Sequence, residues 1–236
     1  MNRLQKASRQ LYAVRILRLL KEKRTYEELS EETGIPSGDL NRYVNGYVLP
    51  GIDRADRIIQ EIGEAFLKTE VQNRVRIDDE GYIDNTKIVF DQSLLDVLAV
   101  IIADSDNFSS PDVILTAATD GITLASAFAR YFDAKCAYAK QSKETAVEDF
   151  IEARERFDSG IELTYYLPTN LLTTSDNVLI VDDLIRSGET QEILLEIVDI
   201  SGATVIGVFA LIAAGDQGLE RARQRTDAPV TSFIQV

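Results

Sequence analysis

Along the first part of the chain apolar residues recur at helical spacing, and further on they gather into short unbroken runs. Over residues 7–20, Leu11, Val14, Ile16, Leu17, Leu19 and Leu20 fall largely on one stripe with arginines between them, which predicts an amphipathic helix. Thr25 followed by Glu28 predicts a capped second helix, because the hydroxyl and the carboxylate satisfy orphan backbone donors reciprocally. Gly34 should end it by taking the left-handed conformation. A third helix is predicted from about Pro36 to the Asn45-Gly46 stop, and a fourth over 53–66. Residues 68–89 are polar, with a turn signal at Glu80-Gly81.

Beyond that stretch the rhythm changes. Apolar runs at 112–115, 136–139, 161–166, 178–181 and 205–212 alternate with helix-length segments at 122–131 and 189–200. This is the pattern of a largely parallel sheet covered by helices. A last strand is expected over 229–236, closing a hood over a ligand site together with part of 68–90. The expected organisation is a small all-α domain in residues 1–67 and an α/β domain in 68–236.

Composition agrees with two soluble domains: 236 residues, 45% hydrophobic and 27% charged. The net charge of −14 argues against a nucleic-acid partner until it is divided along the chain. Residues 1–68 hold 12 Lys/Arg against 10 Asp/Glu, and the remainder holds 13 against 29. The first segment can therefore meet a phosphate backbone that the rest would repel. A single cysteine, Cys136, and the lack of a basic-then-apolar leader point to a reduced, cytoplasmic setting. The apolar stretch 94–103 is too short for a bilayer, which needs about 20 residues, so no membrane partner is expected.

The candidate chemistry centres on Val178, Leu179, Ile180 and Val181, a buried-strand run that leads into Asp182 and Asp183. Arg186, Ser187, Gly188, Glu189 and Thr190 follow at the start of a helix. Carboxylates accept from vicinal hydroxyls, while amides at a helix start and nearby hydroxyls donate to a phosphate. One loop would thus hold a ribose and its 5′-phosphate. The run resembles the signature of type I phosphoribosyltransferases for 5-phosphoribosyl-1-pyrophosphate (PRPP). That resemblance implies that Asp182 and Asp183 meet the ribose hydroxyls and Arg186 through Thr190 the 5′-phosphate. It also implies a type I phosphoribosyltransferase-like parallel sheet flanked by helices.

A second small-residue turn, with Ala118, Thr119, Asp120 and Gly121 between a strand and a helix, resembles the pyrophosphate loop of the same family. Residues 140–160 stand where the family has its hood loop, and Lys140 and Lys143 would neutralise pyrophosphate there. The segment departs from orotate-type enzymes: it has no histidine and continues Glu144, Glu148, Asp149, Glu152, which equally fits a solvated amphipathic helix. No catalytic residue and no direct metal ligand is assigned; Mg²⁺ would arrive with PRPP.

Residues 25–46 resemble the helix-turn-helix of phage-repressor-like regulators. Ser37, Gly38, Asn41 and Arg42 would face DNA, since Asn and Arg pair bidentately with adenine and guanine edges. Arg3, Lys6, Arg9, Lys21, Lys23 and Arg24 would touch phosphates. The whole chain resembles archaeal phosphoribosyltransferase-like transcriptional regulators and, more distantly, bacterial purine repressors. This implies double-stranded DNA and PRPP or a nucleotide as partners, a homodimer or dimer of dimers, and control of nucleotide metabolism. The alternative is an active purine or orotate phosphoribosyltransferase with an accessory domain.

Overall fold

Helix α1 (Arg3–Lys21) begins before its apolar stripe because Asn2 and Gln5 form a capping box of their own. Its buried residues include Val14, Ile16, Leu17, Leu19 and Leu20, while Leu11 stays exposed. Helix α2 (Tyr26–Thr33) carries the predicted cap: Glu28 N donates to Thr25 Oγ1 at 3.2 Å, and Thr25 N donates to Glu28 Oε2 at 2.7 Å. Gly34 closes it at φ 64°, in the left-handed region. Helix α3 (Ser37–Val44) is flanked by Pro36 and Asn45, as the stop signal predicts. The computed structural model describes residues 1–105, 108, 110–156 and 162–236, with residues 105, 155 and 156 described by backbone alone.

The expected fourth helix is longer than its pattern. Helix α4 (Ile52–Arg57), a π-helical stretch Ile58–Gly63 and helix α5 (Glu64–Arg74) follow one another without a break. A two-stranded ribbon of β1 (Arg76–Ile77) and β2 (Ile83–Asp84) turns at Gly81, and helices α6 (Thr86–Val89) and α7 (Gln92–Ser105) follow. Between Leu94 and Ala103 every residue of α7 except Asp96 is buried, as befits a helix that is apolar on all sides.

The chain divides by internal contacts into Met1–Asp106 and Asn107–Val236. By internal contacts residues 68–106 group with the helices, whereas the sequence pattern places its boundary at residue 67. The loss of apolar periodicity near Leu67 marks a change of polarity inside α5, where Lys68 pairs with Glu64 at 2.9 Å, and the chain continues in helix there.

The second unit contains β3 (Val113–Ala117), α8 (Gly121–Phe132), β4 (Lys135–Ala139), β5 (Phe150–Arg156), β6 (Glu162–Pro168), β7 (Asn177–Ile185), α9 (Glu189–Ser201), β8 (Thr204–Ala213), α10 (Gln217–Arg223) and β9 (Val230–Gln235). Five strands form one parallel sheet in the order β4-β3-β7-β8-β9. The run expected at 161–166 is not in that sheet: β6 pairs antiparallel with β5 and, through Tyr166, bridges to Lys140, and residue 161 lies outside the described residues. The last strand is also relocated, since β9 pairs with β8 at the sheet edge and so does not form part of a hood.

The core explains the alternation. Ile193, Leu194, Ile197 and Val198 of α9 pack in one cluster with Val178 and Ile180 of β7 and Val208 of β8. Phe209 stacks on Phe128 at 5.4 Å between ring centres and meets Phe108 edge-on at 6.4 Å. Each such buried side chain contributes roughly 1.5–3 kcal/mol, which fixes the strand ends that carry the polar motifs.

Candidate functional site

Numbered by their order in the chain, the five parallel strands stand 2-1-3-4-5, so the order reverses between β3 and β7. Ligands of open α/β sheets bind beyond the carboxyl ends of the strands at such a reversal. Both sequence motifs lie there. Ala118, Thr119, Asp120 and Gly121 follow β3 and open α8, and Asp182 through Thr190 end β7 and open α9.

The two motifs touch. A Cβ on Gly121 would sit 2.6 Å from Asp182 Oδ1 and closer still to Thr116 Oγ1, so only glycine lets α8 start against the acidic strand end. Ala118 N donates to Ala139 O at 2.9 Å, which ties the first motif to the end of β4. Thr119 and Asp120 are exposed.

Strand β7 runs further than its apolar residues suggest. Leu184 and Ile185 pair with Ile212 and Ala213 of β8, so the acidic pair lies within the strand and the loop shrinks to Arg186, Ser187 and Gly188. Asp182 is 6% exposed and Asp183 8%. Gln191 Nε2 donates to Asp182 Oδ2 at 2.7 Å, and Asp183 N donates to Asp182 Oδ1 at 3.1 Å. Burial, and after it the neighbouring Asp183, pushes the Asp182 carboxyl well above its ordinary 3.8. Asp182 is thus enclosed by Gly121, Thr116 and Gln191 and retains a proton more readily than an exposed carboxylate would.

Gly188 stands before α9 at φ 83°, and no side chain caps the helix. A Cβ there would lie 2.7 Å from Gly218 O, and one on Gly218 would lie 2.6 Å from Arg186 O, so the loop rests on the start of α10 backbone against backbone. Arg221 of α10 pairs with Glu192 at 2.5 Å and stands 3.8 Å from Glu189, bracing the first turn of α9. Arg186 is exposed, and Ser187, Glu189 and Thr190 are half-buried. The uncapped amides together with the hydroxyls of Ser187 and Thr190 form a donor set that suits a phosphate dianion. Thr116, Gln191, Gly218 and Arg221 were not foreseen; Gln191 directly follows the motif in sequence, whereas nothing along the chain pairs Arg221 with α9.

The segment after β4 is corrected by the structure. The helix that its acids fitted is not formed, because Phe150–Arg156 builds the β5–β6 ribbon. Lys140 bridges to Tyr166 through its backbone, and its Nζ pairs with Glu144 Oε1 at 2.5 Å. Lys143 pairs with Glu152 and lies over the rings of Tyr166 at 4.9 Å and Phe150 at 5.5 Å. The hydrogen bond from Lys140 holds the Glu144 carboxyl below its ordinary range, and that from Lys143 does the same for Glu152.

In the helical unit, Gly38, Asn41 and Arg42 are exposed and Ser37 is half-buried, while Leu40 and Tyr43 of the same helix are buried. Several expected phosphate contacts are engaged elsewhere. Arg9 pairs with Asp56 and, at 2.8 Å, with Asp104; burial works against its charge, but the two carboxylates outweigh it and raise its pKa. Lys23 pairs with Glu70 at 2.7 Å and Arg24 with Glu32 at 2.8 Å. Lys21 lies 4.9 Å over the Tyr26 ring, and Arg3 and Lys6 are exposed. Among the described residues no three His, Cys, Asp or Glu side chains gather to hold a metal, and no helix is long and apolar enough to cross a membrane.

Comparison with known proteins bears on this geometry. The purine biosynthesis transcriptional repressor PurR of Bacillus subtilis is 27% identical over 68% of this chain, which spans 55% of the repressor's length. Xanthine phosphoribosyltransferase of Streptococcus agalactiae is 26% identical over 62% of this chain and 77% of its own. Among solved structures, adenine phosphoribosyltransferase of Rhodothermus marinus matches with a TM-score of 0.63 at 19% identity, covering 73% of this chain and 99% of that one. The adenine phosphoribosyltransferase of Giardia lamblia matches at 0.64 and 14%, covering 72% of this chain and 97% of its own. These likenesses establish the type I α/β fold. The sequence profile of the phosphoribosyl transferase domain matches residues 86–232, more than half of the chain, and the protein belongs to that family.

Proposed function

We propose that this chain is a DNA-binding transcriptional regulator of the kind its archaeal resemblance implies, with PRPP or a nucleotide as effector in the control of nucleotide metabolism. The observation that carries the proposal is the face of α3. A helix that enters the major groove needs one face packed and the other open, with small residues near its start. Leu40 and Tyr43 supply the packed face, Asn41 and Arg42 the open one, and a Cβ at Gly38 would meet nothing within 4 Å. Among the described residues no carboxylate pairs with Arg42, in contrast to Arg9, Lys23 and Arg24. On this reading α2, the turn at Gly34 and α3 form a helix-turn-helix, and similarity to the repressor PurR supports it.

In the same reading Asp182 and Asp183 serve the ribose side and Arg186 through Thr190 the 5′-phosphate, within a cytoplasmic homodimer or dimer of dimers that presents two recognition helices. Magnesium commonly binds through one or two carboxylates together with ligand phosphates. The acidic pair fits an ion delivered in that way, with most of its oxygens coming from PRPP.

A second reading, an active phosphoribosyltransferase, is favoured by the similarity to xanthine phosphoribosyltransferase. Its reaction would be displacement of pyrophosphate from C1 of PRPP by a base nitrogen. The pinned Lys140 and Lys143 weigh against it, since leaving pyrophosphate needs free cations.

The test is selection of duplex DNA on the purified chain, with pyrophosphate release measured in parallel across a panel of bases. A selected sequence and no release are expected. Asp183→Asn should abolish the response of DNA binding to ligand while sparing DNA affinity without ligand. Base-dependent release without DNA selection would overturn the regulator in favour of the enzyme.

A further inference from the structure

On the open face of α3, Arg42 has a carboxylate neighbour that it does not pair with. Residues three and four apart are adjacent on a helix surface. For Arg42 these are Gly38, Asp39, Asn45 and Gly46, and Asp39 is the one acid among them. Asp39 is bonded elsewhere: Arg54 Nη1 donates to its Oδ2 at 3.0 Å. Resting on the reading above, in which α3 meets DNA, we infer that Arg54 is a positioning residue. By holding Asp39 it keeps the Arg42 guanidinium available to a base edge, without touching DNA itself.

Helix α4 holds Arg54 in reach of α3. Ala55 of the same helix, and Ile58 and Ile59 just beyond it, are fully buried, which fixes the helix in place. The same Arg54 nitrogen donates to Tyr43 Oη at 2.5 Å, so two acceptors one turn apart on α3 define where the guanidinium lies. Arg57, one turn further along α4, donates to the carbonyl of Thr33, the last residue of α2. A Cβ on Gly34 would lie 3.5 Å from that Arg57 nitrogen. The two arginines thus span the turn between α2 and α3.

The side chain of Asp39 is 36% exposed and that of Arg54 39%, and an exposed pair of this kind contributes little to stability. Its consequence lies in where the charge of Asp39 is spent. Asp39 stands between exposed Gly38 and buried Leu40, at the margin of the open face. Released from Arg54, the carboxylate has Arg42 one turn away as its alternative partner. Both the pairing of Arg42 and an unneutralised acid beside DNA phosphates would weaken recognition.

The test is binding of the full chain to the duplex recovered by selection on the unmodified protein and to a scrambled duplex of the same composition. Arg54→Gln should lower discrimination between the two by about fivefold, the factor that one surface ion pair can supply. Arg54→Gln/Asp39→Asn should return within about twofold of the unmodified chain, and Asp39→Asn alone should move it by less than about twofold. Both Arg54 variants lose the bonds to α3 alike, so damage to packing would not be reversed by the second substitution. An arginine that touches a phosphate takes about 0.9 from the slope of log affinity against log salt, and the double variant should keep the slope unchanged. The inference fails, and the helix-turn-helix reading stands, if Arg54→Gln has no effect, if the double variant stays as weak as the single one or loses slope, or if Asp39→Asn alone strengthens binding as much as it rescues. If the unmodified chain selects no duplex, the reading itself is overturned and the inference with it.

Discussion

The helical unit and the sheet unit place their candidate functional groups in opposite environments. On α3 the polar residues Gly38, Asn41 and Arg42 are on the outside, and the packing of the helix depends on Leu40 and Tyr43 behind them. At the β3–β7 reversal the polar residues are inside: Asp182 and Asp183 are enclosed, and Gly121 and Gly188 are fixed by contacts too close for any side chain. A site on an open face can change without disturbing the fold. A site built into strand ends cannot, because the same atoms bear the packing.

That contrast is broken most directly at the core beneath the sheet site. Phe209→Ala removes the ring that meets Phe128 and Phe108 and should cost about 3–5 kcal/mol in chemical denaturation. An equally large loss from any single α3 surface substitution would abolish the distinction. Next, Gly121→Ala should cost about 1–3 kcal/mol and impair ligand binding together with stability, because its methyl group would displace Asp182. Retention of ligand affinity by that variant would show that the two motifs are separable.

In the helical unit Thr25→Ala deletes the cap of α2 and should cost about 1 kcal/mol, a structural effect remote from the open face. Arg42→Ala should leave stability within about 0.5 kcal/mol, since no packing depends on it. Its effect should appear instead as a loss of about 1–3 kcal/mol in discrimination among DNA sequences.

Titration sharpens the contrast further. Because the Asp182 carboxyl is raised in the folded protein, the native state holds its proton more tightly than the unfolded chain does. The stabilisation is fully present below the ordinary value of 3.8 and is lost as pH rises through the raised one. Asp182→Asn should remove this decline from the stability profile measured by denaturation across pH, whereas Arg42→Ala should preserve it.

Much of the architecture is legible along the chain where local chemistry decides it. The Thr25 and Glu28 cap, the left-handed Gly34 and the β-branched run before Asp182 each act through neighbours in sequence, and each appears where the pattern puts it. Of the ribbon after Lys140 the second strand is expected at 161–166 and the first is not, although its signal is present: Ile151 and Ala153 alternate with Glu152 and Arg154 in burial, at a strand period that the surrounding acids disguise. The buried helix α7 likewise sits in an apolar stretch, and the change of polarity near residue 67 falls inside helix α5.

By itself, then, the sequence determined the first three helices, the alternation of strand and helix in the second unit, and the order of the two small-residue motifs, because caps, turns and periodicity depend on residues a few positions apart. Only the tertiary structure decided that Asp182 meets Gly121 and Gln191, that Arg221 braces α9, that β9 joins the sheet, and that Lys140 and Lys143 are matched by glutamates. Those outcomes depend on which strand ends the sheet brings side by side, and on burial, which gives a carboxylate or an ion pair its weight only once water has been removed from around it.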